Sequence, residues 1–158
     1  MLTTRRLVTG AAVAATAAAI AVPAAGTAHA APVTVYQIPA SALAVSGLVV
    51  PGPYFASVTA QTTGKAGELR VSAPASPSIC SSSAGGALVR IGYVSLATGR
   101  SGGVTVKPCP YFLDAAPTAA VIHPGGGQAL LSIQVTGSAA YPNAGQPSLP
   151  GVATVGVP

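Results

Sequence analysis

Between Ala31 and Pro158 the imidazole, carboxylate and thiol groups of this chain come to five: His123, Asp114, Glu68, Cys80 and Cys109. Each chemistry they could serve needs more company than they have. A hydrolase triad would draw on Asp114, His123 and a serine. Ser81 to Ser83, however, shares a loop with Cys80 rather than a strand-to-helix turn that presents a nucleophile. A two-carboxylate glycosidase would need both Glu68 and Asp114. Glu68 stands two residues from Arg70, a spacing that places both on one face of a strand and reads as a surface ion pair. Metal sites take three or four ligands, and one imidazole beside two cysteines bound for a disulfide falls short. Gly125-Gly126-Gly127 carries no lysine and feeds an apolar run, so it does not cradle a phosphate. The expectation is a protein without an enzymatic activity, a metal or a cofactor.

The first thirty residues read as an export signal. Arg5 and Arg6 make a positive start, Leu7 to Val22 is apolar and alanine-rich, and Pro23 to Gly26 breaks it. Ala28-His29-Ala30 then supplies the small-x-small pattern, placing the cut after Ala30. The apolar run is short of the roughly 20 residues a spanning helix needs, so no stable membrane span is expected once it is cleaved. Leu7-Val8-Thr9 after the arginine pair favours the general secretory route over twin-arginine export. The mature protein is then residues 31–158, one secreted, extracellular domain.

Charge narrows the partners. Lys65, Arg70, Arg90, Arg100 and Lys107 face only Glu68 and Asp114, a net charge of +3 spread singly along the mature chain. A nucleic-acid surface needs many clustered phosphate contacts, so none is expected. Cys80 and Cys109 are an even pair in an oxidising compartment, and a disulfide between them is the default. It would staple a serine-rich loop to the Pro108-Cys109-Pro110 corner, where the two prolines exclude a central strand.

The elements that must position these groups are short apolar runs cut by Gly, Pro and Ser. Strands are expected at Val33 to Ile38, Tyr54 to Gln61, Glu68 to Ser72 and Leu88 to Leu96. Four more are expected at Val104 to Lys107, Ala119 to Ile122, Ala129 to Val135 and Val152 to Val157. Ser41 to Val45 reads as one helical turn, held short by Pro51 and Pro53. About eight strands at this spacing predict an all-β, antiparallel β-sandwich rather than βαβ units. The Pro124-Gly125 turn feeding Ala129-Leu130-Leu131 resembles the turn before an inner strand in bacterial immunoglobulin-like domains. That resemblance implies a loosely immunoglobulin-like fold and no particular function.

What remains is recognition. The expected role is a secreted binding or adaptor module working through protein–protein contacts, in a larger extracellular assembly. Its candidate partner-binding residues are Tyr36, on an N-terminal edge strand, and Tyr141, Pro142 and Asn143 in the loop Gly137 to Gly151. A cell-envelope or carbohydrate-associated module using the tyrosines is the alternative, and a small secreted enzyme inhibitor is the third. Tyr54, Ala56, Val58 and Ala60 alternate onto one face of their strand, and if the tyrosines form no sugar platform Phe55, Phe112 and Tyr93 are core.

Overall fold

The computed structural model describes residues 30–45, 48–111, 116–140 and 147–158. In chain order the strands are β1 (Pro32–Val33), β2 (Val35–Ile38), β3 (Ala40–Val45), β4 (Leu48–Ala56), β5 (Thr59–Thr62) and β6 (Leu69–Ser72). A single helical turn, α1 (Pro77–Cys80), and a 3-10 turn at Ser83–Gly86 follow. Then come β7 (Ala87–Ser95), β8 (Ser101–Val106), β9 (Ala119–Ile122), β10 (Gly127–Ser138), β11 (Ser148–Leu149) and β12 (Gly151–Val157). The chain is all-β, and every strand pair is antiparallel.

Three sheets result. One has the order β1-β5-β6-β9, the second β2-β12-β10-β7-β8, and the third β11-β3-β4. β10 is the middle strand of the five-stranded sheet, and its sequence shows why. Ala129, Leu131, Ile133 and Val135 alternate inward with exposed Gln128, Leu130, Ser132 and Gln134, the period of a strand with one buried face. β12 alternates in step, burying Ala153, Val155 and Val157. These side chains join Leu69, Val71, Val89, Ile91, Val106 and Ile122 in one core shared by the sheets.

The strands are more numerous than the apolar runs predict, in part because the chain changes sheets within two of those runs. The run 33–38 breaks at Thr34, so that β1 pairs with β5 while β2 pairs with β12. The Gln37 side chain ties that corner shut. Its Nε2 donates to the Val58 carbonyl at 3.0 Å and its Oε1 accepts from the Val58 N–H at 2.7 Å. The run 54–61 breaks at Ser57-Val58, where β4 ends and β5 enters another sheet. Ser41 to Val45 corrects the expected helical turn: it is strand, with Ala40 and Ala42 buried and Ser41 paired to Phe55.

The disulfide is present. Cys80 ends α1 and joins Cys109 across a Cα–Cα distance of 5.5 Å. α1 itself is a local construction. Ser76 caps it by accepting from the Ile79 N–H, and Pro77 sits at its first position, where no amide donor is missed. Gly85 packs against this turn so closely that a Cβ there would stand 2.9 Å from the Cys80 carbonyl oxygen.

Phe55 departs from expectation, and Phe112 lies outside the described residues. Phe55 is 59% exposed, whereas Tyr54 is 2% exposed and lies in the core. The Tyr54 hydroxyl makes no hydrogen bond among the described residues, and burial pushes its pKa far above the ordinary 10.0. The sign follows directly: the proton is held more tightly folded than unfolded. Stability is therefore complete below pH 10 and falls above it, by about 1.4 kcal/mol per pH unit. Tyr54→Phe should stay close to the parent at about pH 8, since no bond among the described residues is lost. It should also abolish this part of the alkaline decline. Urea titrations at about pH 8 and pH 11 measure both effects, and an equal decline in the two proteins would refute the burial argument.

Candidate binding face

The sparse ionisable groups partly assemble at one end of the fold. β6 and β9 pair Leu69 with Ile122, so Glu68 and His123 are carried to neighbouring positions just beyond the paired strands. Glu68 Oε1 lies 3.4 Å from His123 Nδ1, and Thr63 Oγ1 donates to Glu68 Oε2 at 3.2 Å. Glu68 thus sits with His123 across the strands, in place of the expected Arg70. The surrounding loops are tied together. Gly125 N–H donates to the Gly67 carbonyl at 3.1 Å, Gly67 N–H to Pro158 at 2.7 Å, and Thr98 Oγ1 to Pro124 at 3.0 Å. The imidazole is 61% exposed at its side chain. Among the described residues, no three His, Cys, Asp or Glu side chains gather as metal ligands.

No Gly-x-Ser-x-Gly elbow is expected from the sequence, yet Gly99-Arg100-Ser101-Gly102-Gly103 has that spacing, which corrects the expectation. Its setting is different. Ser101 opens β8 after a hairpin turn that is closed by Ser95 N–H to Arg100 O at 2.8 Å, and a strand follows instead of a helix. No hydrogen bond joins Ser101 to His123 among the described residues. Asp114, the third group of the expected triad, lies outside the described residues.

A broader feature is the outer face of the five-stranded sheet. Register places Tyr36, Thr154, Leu130, Val94 and Ser101 in one row across the strands. Ile38, Val152, Ser132, Gly92 and Gly103 form the next row. Tyr36 is 75% exposed and Ile38 68%, and Leu130, Val94 and Val152 are each more than two-fifths exposed. A shallow groove of about 290 Å³ runs between Tyr36, Ile38, Leu130, Val152 and Thr154. Arg90 flanks these rows, in the adjacent row with Gln134 and Thr105. Contiguous apolar surface of this kind marks an interaction site more often than scattered exposed residues do.

Comparison adds no relative. No family model, curated protein or solved structure matches this chain. The reading therefore rests on its own residues.

Of the residues proposed for partner binding, Tyr36 lies on this face. Tyr141, Pro142 and Asn143 lie outside the described residues, as does Ala28 of the cleavage pattern, and Ala30 is exposed at the start of the described chain. Ile38, Leu130, Val94 and Val152 were missed as binding residues. The signal was present in Tyr36-Gln37-Ile38, where the positions facing away from the core carry large apolar groups. Of the tyrosines considered for a sugar platform, Tyr36 and Tyr111 are exposed and Tyr54 is buried. Tyr36 rides on β2, an edge of the five-stranded sheet, whereas Tyr111 belongs to no strand.

Proposed function

We propose that this chain is a secreted, non-enzymatic binding or adaptor module, an antiparallel β-sandwich of loosely immunoglobulin type that works through protein–protein contacts. In this reading residues 1–30 direct export and the protein acts from Ala31 onward. The carrying observation is the apolar outer face of the five-stranded sheet, with Tyr36, Ile38, Leu130, Val94 and Val152 presented together. The Cys80–Cys109 disulfide is compatible with an extracellular setting. So is the finding that no helix among the described residues is long and apolar enough to cross a membrane.

The test is the native mass of the protein taken from its producer's culture medium, by size exclusion with light scattering. The parent should elute in a species larger than one chain. A variant carrying Tyr36→Glu and Val152→Glu should elute as one folded chain, because each carboxylate would have to be desolvated at the contact. A parent that elutes as one chain, or a variant that keeps its larger partner, sinks the reading.

A further inference from the structure

The segment from Ala31 to Ile38 is held lightly. No residue in it is buried. Val33 and Val35 touch the core with part of their surface, whereas Ala40, two positions beyond Ile38, is fully enclosed. Three grooves border the segment. One of about 490 Å³ and one of about 420 Å³ meet at Val33, and the groove of the outer face reaches Gln37. Hydrogen bonds at the two ends fasten it. The Ala31 nitrogen donates to Thr62 Oγ1 at 3.0 Å, and Thr62 N–H returns a bond to the Ala31 carbonyl at 2.8 Å. At the other end the Gln37 amide holds both main-chain groups of Val58. Between these ends run the short ladders of β1 with β5 and of β2 with β12. Few buried apolar contacts beside exposed main-chain bonds mark an element that opens locally at low cost.

The seat beneath the segment is less tolerant of being left open. When the segment lifts, Ala60 and Gln61 of β5 and residues 152–155 of β12 lose their partners. Two sheets then present unpaired edges at once, and such edges pair with another strand. The strand that fits them is the one seated there. It turns Val33, Val35 and Gln37 inward and spaces Gln37 to reach Val58. A second copy of the chain carries the identical strand.

We infer that residues 31–38 are a releasable strap and that two copies exchange straps, each seating β1 and β2 on the other's β5 and β12. The exchange stands apart from the outer-face reading above. It reuses the contacts of the single chain, so only the hinge has to change. That hinge is Pro39, the single residue between β2 and β3. Proline fixes its own φ and keeps Ile38 extended, so the strap swings out as one straight piece. A link this short has no slack to relax within one chain, which favours exchange. Charge does not oppose it, since neither the strap nor its seat at 60–61 and 152–155 carries a charged side chain.

Cysteine pairs test the seating. Tyr36 stands opposite Thr154 and Pro32 opposite Gln61, within reach of a disulfide. All four are exposed, so their substitution should leave the fold intact. A Tyr36→Cys chain mixed at high concentration with a Thr154→Cys chain, under mild oxidation, should yield a crosslinked pair. Pro32→Cys with Gln61→Cys, on the other sheet, should do the same. Tyr36→Cys with Ser101→Cys, roughly 19 Å apart across the sheet, should not. Adding Gln37→Ala to the Thr154→Cys chain removes two bonds from its own strap and leaves the incoming Gln37 in place. The crosslink should then form about tenfold faster. Crosslinking no better than the Ser101 control at either pair, or unaffected by Gln37→Ala, overturns the exchange. Absent crosslinks alongside a culture-medium complex that Tyr36→Glu and Val152→Glu disrupt would exclude the exchange and leave the outer-face reading standing.

Discussion

Replacing Cys80 and Cys109 together by alanine should lower the unfolding free energy of the mature protein by about 3–4 kcal/mol. The bond closes a loop of 29 residues, and chain entropy alone assigns about 3.6 kcal/mol to freeing a loop of that length at room temperature. For a domain of this size the melting temperature should drop by roughly 10–15 °C. The structure adds a reason to expect the upper part of that range. Cys109 is 1% exposed, and the corner it occupies is tied in by Ala75 N–H to Pro108 O and Lys107 N–H to Pro117 O. Truncation therefore also removes buried sulfur from a packed site. α1 has no fully buried residue and is only one turn long, so besides its caps and the partly buried Ile79, which packs on the core, the bond is its main tie. Urea unfolding of the oxidised protein against the double variant measures the difference. A change under about 1 kcal/mol would mean that the loop is held closed without the bond.

Legibility from sequence followed the physics of each segment. β12 is legible to within one residue and β10 in its alternating centre, because strict alternation over a buried face leaves one solution; the bounds of β9 also match. The disulfide was legible because an exported chain with two cysteines has one obvious pairing. The face shared by Tyr54, Ala56, Val58 and Ala60 is legible from alternation and is buried, but the expectation that Phe55 is core fails. Side-chain polarity favours burying phenylalanine, but the pocket is shaped by its neighbours. Ala40, Ala42, Ala56, Ala84 and Ala87 are all buried, and among such small groups a large ring on the Ala56-Val58 side of the strand fills the space. Sheet changes at Thr34 and Ser57-Val58 were invisible because a run that switches sheets keeps its alternation. The outer face was invisible for a further reason. Tyr36, Leu130 and Val94 are 94 positions apart at the extremes of the chain order and become neighbours only through the registers of β2, β12, β10 and β7.

Gly151→Ala should cost at least about 3 kcal/mol, whereas Gly156→Ala, five residues along the same strand, should fall within about 0.5 kcal/mol of the parent. The two glycines look alike in sequence, and the path of the chain separates them. β2 belongs to the five-stranded sheet and β3 to the three-stranded one, so Ile38-Pro39-Ala40 must cross between sheets. It crosses directly over the inner side of Gly151. A Cβ there would stand 2.5 Å from the Ile38 carbonyl oxygen and 2.6 Å from the Pro39 carbonyl carbon, and would also run into the Ala40 amide nitrogen. These are backbone atoms, so no rotamer change relieves the overlap. Either β12 or the crossing must move, and both pack on the core through Ala40 and Ala153. Gly156 points to the outer face, with nothing within 4 Å of its added Cβ, and alanine there also restricts the unfolded chain slightly. Thermal melts of the two variants side by side decide the matter. Equal melting temperatures would show that the chain does not cross at Gly151. That crossing joins β2, which carries Tyr36 and Ile38, to β3, so Gly151→Ala should also loosen the β2 edge of the binding face.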